Sequence, residues 1–123
     1  MTLFIHGIDH VQLAAPPGSE DTARHFFGAI LGMPELPKPE PLRQRGGVWF
    51  QCGQQSLHIG IEEPFSPAKK AHPAFWVNGL EQLVQRLEQF HVQVRRDEAI
   101  PEINRCFVED PFGNRIELME RRV

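Results

Sequence analysis

The sequence repeats one pattern of secondary structure, and this repeat constrains the fold more than any other feature. Each half of the 123-residue chain predicts a strand, then an amphipathic helix, then about three further strands. Polar side chains recur at matched places: His72 follows His10 by 62 positions, and Glu117 follows His58 by 59. The repeat predicts an α+β fold made of two βαβββ units within one domain. Unit one covers about residues 3–62, a linker about 63–71, and unit two about 72–121.

In the first unit, alternating polarity predicts a strand over residues 5–15. Ser19 is a candidate N-cap for a helix that ends at Gly32. The proline-rich residues 34–41 predict an edge or loop. Residues 48–52 and 55–61 then read as a hairpin with a tight turn between them.

In the second unit, a short strand is expected over residues 72–77. Asn78 is a candidate N-cap of a helix that ends near Phe90, with His91 in the left-handed conformation that follows a helix. Further strands are expected over residues 92–95, 105–109 and 115–120. Residues 110–114 (DPFGN) carry the proline and glycine of a turn.

Composition excludes several classes of function. The chain has 13 basic and 16 acidic residues, so it lacks the strongly basic character of a nucleic-acid-binding protein. No apolar run reaches the roughly 20 residues of a membrane-spanning helix. We see no secretory signal, and Cys52 and Cys106 lack both a disulfide-rich pattern and zinc-site spacing. These features predict a cytoplasmic protein with no nucleic-acid or membrane partner.

The first and last strands of each predicted unit each offer one side chain that could bind a metal ion. These are His10 and His58 in the first unit, and His72 and Glu117 in the second. A single histidine on a strand is more often a surface residue, but four such residues at matched places favour a site. Imidazole and carboxylate donors suit Zn²⁺, Ni²⁺, Fe²⁺ or Mn²⁺. His10, His72 and Glu117 also match the two-histidine, one-carboxylate set of non-haem iron centres.

Strand alternation also predicts which side chains line a substrate pocket. The candidates for its wall are Gln12, Trp49, Gln51, Ser56, Trp76 and Arg115. The tryptophans either pack in the core or stack on a flat substrate. Arg115 either balances Glu117, holds an anionic substrate, or is an ordinary paired strand residue. Glu117 is the candidate catalytic residue, either as a pure ligand or as a ligand that also acts as a base.

The sequence resembles the vicinal oxygen chelate superfamily, the group of glyoxalases, bleomycin-resistance proteins and extradiol dioxygenases. Each matching segment is short, but their order and spacing cover nearly the whole chain. The segments are residues 8–11 (IDHV), 27–33 (FGAILGM), 57–60 (LHIG), 72–77 (HPAFWV) and 110–118 (DPFGNRIEL). The resemblance implies two βαβββ units that form a curved mixed sheet around a central cavity, with metal ligands from the first and last strands. It also implies a small-molecule substrate and a homodimer.

The sequence departs from individual branches of this superfamily. Members similar to glyoxalase I usually have a carboxylate where this chain has His58, so Glu117 would be the only carboxylate ligand. Extradiol dioxygenases use a set like His10, His72 and Glu117 but are usually much longer. Two readings therefore stay open. One is a metal-dependent lyase, isomerase or dioxygenase. The other is a metal-free binding or resistance protein that sequesters an aromatic or drug-like ligand.

Overall fold

The computed structural model describes residues 3–123, which divide between Glu63 and Pro64 into two compact units. Both units have the βαβββ order, and each forms a four-stranded mixed sheet. The α+β fold of two βαβββ units predicted from the repeat is therefore confirmed. No helix within residues 3–123 has the length and apolar character that crossing a membrane requires.

The first unit contains strand β1 (His10–Ala15), helix α1 (Glu20–Ala23), which continues as a π-helical segment (Arg24–Ile30), and strands β2 (Glu35–Leu36), β3 (Val48–Cys52) and β4 (Gln55–Ile61). A 3-10 helix (Glu40–Arg45) connects β2 to β3. The strand order is β1-β4-β3-β2, with β1 parallel to β4 and the other pairs antiparallel. A parallel pair needs a long crossover connection, which the helix begins.

The helix of the first unit packs through aromatic side chains. Phe26 and Phe27 are fully buried, and the Phe27 ring lies 5.8 Å from that of Phe50 on β3. Gly32 ends the helix with a φ of 80°, as its position after the apolar stripe predicts. Packing against the sheet therefore fixes the crossover between the parallel strands β1 and β4.

The second unit contains β5 (Ala74–Trp76), helix α2 (Leu80–Gln89), β6 (Arg95–Asp97), β7 (Ile103–Glu109) and β8 (Arg115–Arg121). Its strand order, β5-β8-β7-β6, corresponds to that of the first unit, and β5 is parallel to β8. Leu80, Val84 and Leu87 are the buried residues of α2. His91 has a φ of 63°, which confirms its predicted left-handed position.

Several strand boundaries differ from those predicted, including the starts of β1, β5 and β6. β1 begins at His10 instead of residue 5, because His10 pairs with Ser56 and β4 extends only one residue beyond it, to Gln55. β5 begins at Ala74, after a proline that has no N–H to donate, so His72 precedes the strand. β6 covers Arg95–Asp97 instead of residues 92–95, because the N–H of Val92 still bonds to a carbonyl of helix α2.

The predicted N-cap of helix α2 is also wrong. Gly79, with a φ of 81°, takes the N-cap position in place of Asn78. The carboxylate of Glu120 on β8 accepts hydrogen bonds from the N–H groups of Gly79 and Leu80, at 2.7 and 2.9 Å. A side chain distant in sequence therefore caps the helix, which explains why local spacing did not identify it.

The turn between β7 and β8 depends on one buried carboxylate. Asp110 accepts hydrogen bonds from the backbone N–H groups of Phe112 and Asn114 and from the Asn114 side chain, at 2.8–2.9 Å. Burial raises the pKa of Asp110, although these bonds oppose the shift. Asn114 in turn accepts a bond from the N–H of Ala68. This network orients β8, which carries Glu117.

Candidate functional site

Three aromatic rings form a stack across the sheet of the first unit. The His58 ring on β4 lies 4.0 Å from the ring of His10 and 3.8 Å from that of Trp49, nearly parallel to both. Strand register explains this arrangement, because β4 lies between β1 and β3, and Trp49 is the residue paired with His58. The two predicted metal-binding histidines of this unit are therefore brought together.

The polar contacts of His10 and His58 differ. Nδ1 of His10 lies 3.0 Å from a carboxylate oxygen of Asp9, which can only accept, so Nδ1 donates in this contact. Nε2 of His58 lies 3.0 Å from the Ser56 hydroxyl. Burial, reinforced by the nearby His10, lowers the pKa of His58. His58 is therefore neutral near pH 7, and its ring can act as a ligand or a hydrogen-bond partner.

A cavity of about 610 Å³ opens beside the His10–His58–Trp49 stack. Apolar and polar groups meet in its wall, which is formed by Asp9, His10, Gln12, Leu36, Pro37, Leu42, Trp49, Ser56 and His58. Such a volume is within the range of small-molecule sites. Three of the predicted pocket residues, Gln12, Trp49 and Ser56, line this cavity beside the histidine pair.

In the second unit, His72 and Glu117 form a contact of 3.0 Å between Nε2 and Oε1. Glu117 pairs in register with Ala74, and His72 lies two positions earlier, which puts both side chains on one face. The other carboxylate oxygen, Oε2, accepts a hydrogen bond from Arg105 at 2.8 Å. Burial alone would raise the pKa of Glu117, but the bonds from Arg105 and His72 outweigh it and lower the pKa.

Arg105 is a site residue that sequence analysis missed. It joins Glu117 to Asp97, whose carboxylate accepts a second bond at 2.9 Å. The signal was present in the register: Phe107 on β7 pairs with Glu117, and Arg105 lies two positions away on the same face. From the sequence, Arg115 was the candidate partner of Glu117 instead.

The remaining predicted pocket residues have other neighbours. The guanidinium carbon of Arg115 lies 4.2 Å from the centre of the Phe107 ring. Trp76 is 56% exposed and stacks with Arg121 at 4.0 Å. The side-chain amide of Gln51 donates to the carbonyl of Gly53 in the hairpin turn. These three positions remain predictions as pocket residues.

The hydrogen bonds of His72 provide a test of whether a metal ion fits. Its Nδ1 lies 2.8 Å from the carbonyl oxygen of Lys70, which can only accept, so Nδ1 must donate. In the neutral ring, Nε2 then presents a lone pair to a carboxylate oxygen of Glu117 at 3.0 Å. Two acceptors that close need a cation between them, either a proton or a metal ion. A backbone carbonyl that fixes the opposite ring nitrogen is also typical of histidines that bind metals.

Within residues 3–123, each unit supplies a pair of candidate metal-binding side chains. Neither unit contains a group of three or more such side chains there. The first pair is His10 and His58, and the second is His72 and Glu117. Neutral imidazoles and a carboxylate match the ligand preferences of Zn²⁺ and similar divalent ions. The donor chemistry therefore fits a divalent metal ion.

The two βαβββ units, one with a histidine at the start of its parallel strand pair and the other with a histidine just before it, define a glyoxalase-like protein. The chain belongs to the Glyoxalase/Bleomycin resistance protein/Dioxygenase superfamily, whose family model matches residues 7–118. Members of this superfamily typically use a divalent metal ion, bind small molecules and often form oligomers. No curated protein matches the chain.

Solved structures agree with this assignment. A protein from Bacillus anthracis described as belonging to the glyoxalase family is 53% identical, with a TM-score of 0.96 over 99% of this chain and 100% of that one. A lactoylglutathione lyase from Agrobacterium tumefaciens is 19% identical, with a TM-score of 0.75 and 96% of each chain covered. The fosfomycin resistance protein FosX from Listeria monocytogenes is 17% identical, with a TM-score of 0.75 over 98% of this chain and 97% of that one. The last two similarities concern the fold alone.

Proposed function

We propose that this protein is a divalent-metal-dependent enzyme that acts on a small oxygenated molecule by lyase, isomerase or dioxygenase chemistry. The ligands we assign are His10, His58, His72 and Glu117. The observation that carries the proposal is the contact between His72 Nε2 and Glu117 Oε1, two groups that need a cation between them. Family membership supports it, since metal-dependent enzymes are common in this superfamily.

The bound ion would supply Lewis-acid stabilisation of negative charge that develops on a substrate oxygen. The protein's own groups would orient the substrate and move protons. Trp49 offers a flat apolar wall, and Gln12 offers an amide donor in the same cavity. Glu117 is the candidate base, because Arg105 keeps it ionised and a carboxylate can accept a proton from carbon next to a carbonyl.

A metal-free binding protein is the second candidate function. The observation that favours it is the apolar part of the 610 Å³ cavity, formed by Leu36, Pro37, Leu42 and Trp49. Such a wall would sequester an aromatic or drug-like ligand without chemistry. This reading does not account for the arrangement of His72 and Glu117, which a sequestering protein does not need.

Metal analysis of protein purified without a histidine tag distinguishes these functions. We expect a stoichiometric divalent ion in the parent protein. Removing a ligand should weaken metal binding strongly, so Glu117→Gln and His72→Ala are each expected to lower affinity by about 100-fold or more. His58→Gln should have a smaller effect, about tenfold, if the Ser56 hydroxyl and the flanking rings keep the cavity intact.

His6→Ala is the matched control, because His6 is exposed outside the helices and strands. It should leave metal content unchanged. A parent protein with no affinity for Zn²⁺, Ni²⁺, Fe²⁺ or Mn²⁺, yet with micromolar affinity for apolar aromatic ligands, would replace the enzyme proposal with the binding protein.

We further propose that the protein is a homodimer. Several large apolar side chains near the start of the described chain are more than 60% exposed, namely Leu3, Phe4, Ile5 and Ile8. Clustered apolar exposure of this kind usually marks a surface that another chain covers. Light scattering coupled to size-exclusion chromatography would give a mass near twice 14.1 kDa. A monomer at all concentrations would contradict this.

A further inference from the structure

We propose that the substrate carries an anionic group, and that Arg45 binds it in a second cavity next to the histidine pocket. The proposal deepens the function above and rests on the substrate using the 610 Å³ cavity. It adds to that function a charge requirement and the residue that would meet it.

The second cavity is smaller, about 230 Å³, and adjoins the first. Three residues line both cavities: Gln12, Leu42 and Trp49. A molecule that contacts Trp49 from the histidine side can therefore extend past the indole into the second cavity. The two cavities are best regarded as parts of one site with different chemistry.

The second cavity is basic where the first is not. Its wall contains two cationic side chains, Lys38 and Arg45, and no acidic residue; the remaining wall is formed by Gln12, Leu42, Gly46, Trp49, Ile59, Gly60 and Ile61. Positive charge without a carboxylate in the same wall favours an anionic ligand group. Arginine also offers the planar set of donors that carboxylates and phosphates bind best.

Lys38 and Arg45 differ in how free their charges are to bind an anionic ligand. The Lys38 ammonium already donates to the carbonyl of Gly46. The pKa of the Glu20 carboxyl group is lowered chiefly by the hydrogen bond from the Gly47 N–H, and Lys38 is close enough to contribute to this shift. Arg45, by contrast, forms no ion pair within residues 3–123. Its charge is therefore the one left for a ligand.

Gln12 provides a neutral donor at the junction of the cavities. Its side-chain amide lies directly over Gly60, where a Cβ would come within 2.5 Å of Nε2. Any larger residue at position 60 would displace the amide. Because Gly60 has no side chain, the Gln12 amide keeps its place between the histidine pair and Arg45. Its N–H group can there contact an oxygen of the same ligand.

Small aromatic probes with and without charge test this proposal. The Trp76→Phe variant leaves Trp49 as the only tryptophan, so its fluorescence reports binding at the shared wall. Benzoate and benzamide differ in charge but not in ring, and both are titrated into protein freed of metal with a chelator. We expect benzoate to bind more tightly than benzamide, and its affinity to fall as salt rises.

Arg45→Gln should weaken benzoate by about 3–10-fold while benzamide changes less than about twofold, since an exposed charge pair contributes modestly. Arg43→Gln is the matched control. Arg43 belongs to the same 3-10 helix but pairs with Glu40 and lines neither cavity. Equal losses of benzoate affinity in both variants, equal affinity for the two probes in Trp76→Phe, or no binding of either would overturn the proposal.

Phenylphosphonate forms a third arm that separates two sources of anionic charge. Tighter binding than benzoate, lost in Arg45→Gln, indicates a phosphonate or phosphate ester, and the reverse order indicates a carboxylate. Metal content is measured on the same samples. If the protein prefers benzoate to benzamide but never binds metal, only the enzyme proposal is wrong. If it binds metal but does not prefer benzoate, only the anion site is wrong.

Discussion

The two units have the same backbone register and different chemistry at corresponding positions. In each, a histidine lies two positions before the first-strand residue that pairs with the candidate ligand of the last strand: His10 relative to His58, and His72 relative to Glu117. The neighbouring strand places an aromatic residue opposite that ligand in both units, Trp49 in one and Phe107 in the other. In the first unit these positions form a stack of rings, and in the second Glu117 is paired with the charged side chain of Arg105.

This difference follows from what each ligand needs when it is buried. His58 is an uncharged ring, so two aromatic faces and one hydroxyl satisfy it. Glu117 is a buried carboxylate and requires a positive partner, which Arg105 supplies, while its other oxygen contacts His72. A repeated fold therefore preserves positions, while each side chain at those positions determines the partners around it.

The largest expected effect comes from removing the guanidinium group of Arg105, which bonds to Glu117 and Asp97 in the second unit. Arg105→Met leaves Glu117 and Asp97 without their shared partner, so we expect it to lower the urea midpoint of unfolding and to weaken metal binding about tenfold. Its control is Arg96→Met, which breaks a more exposed pair with Glu81. The shift in Arg105→Met should be roughly three times larger, because exposed pairs contribute little.

If both arginine variants shift the urea midpoint equally, Glu117 does not depend on Arg105, and the contrast between the two units disappears. If Arg105→Met changes stability but leaves metal affinity untouched, Arg105 supports the fold and does not position the ligand. Arg105→Lys provides the conservative comparison, since it restores a charge but not two parallel donors.

The repeat made the fold predictable, because alternation and helical periodicity are local properties of the sequence. The hairpin from Val48 to Ile61 and the left-handed His91 follow from such local patterns. Within each unit the pairing of candidate ligands was also expected, since matched strand positions share a face. Whether the four residues bind one ion remains a prediction.

Contacts between distant strands could not be predicted in the same way. Arg105 and Glu120 act on residues in other elements, and their partners depend on the register of β7 and β8. The cation pair Lys38 and Arg45 was also missed, because it lies in an irregular connection whose path is not periodic. Register and loop paths therefore determine the parts of the site that periodicity alone leaves open.

A smaller effect is expected where the two units begin their helices differently. Glu120→Gln removes the charge that accepts bonds from the N–H groups of Leu80 and Gly79, so we expect a Tm lower by about 2–5 °C near pH 7. The backbone bonds from Leu80 and Gly79 lower the pKa of Glu120. Its stabilisation is therefore present above the ordinary value of 4.5 and is lost as pH falls through the lower folded value.

The difference in Tm between parent and Glu120→Gln should accordingly stay constant above about pH 5 and narrow as the pH falls further below the ordinary value of 4.5. Glu98→Gln, at an exposed position outside the helices and strands, is the control and should shift Tm little at any pH. A gap that stays constant with pH would mean that the carboxylate charge does not stabilise the helix.

The smallest effect is expected at the start of the first helix. Whether the free energy of unfolding rises or falls there is more informative than the size of the change. Ser19 has the N-cap position, yet its hydroxyl is buried and has no hydrogen-bond partner within residues 3–123. An ordinary N-cap serine loses about 1 kcal/mol on replacement by alanine. Here Ser19→Ala removes an unsatisfied polar atom, so we expect stability unchanged or raised by about 0.5–1 kcal/mol in urea titration. A loss near 1 kcal/mol would mean that Ser19 does cap this helix in solution, and that the two units begin their helices more alike than their contacts indicate.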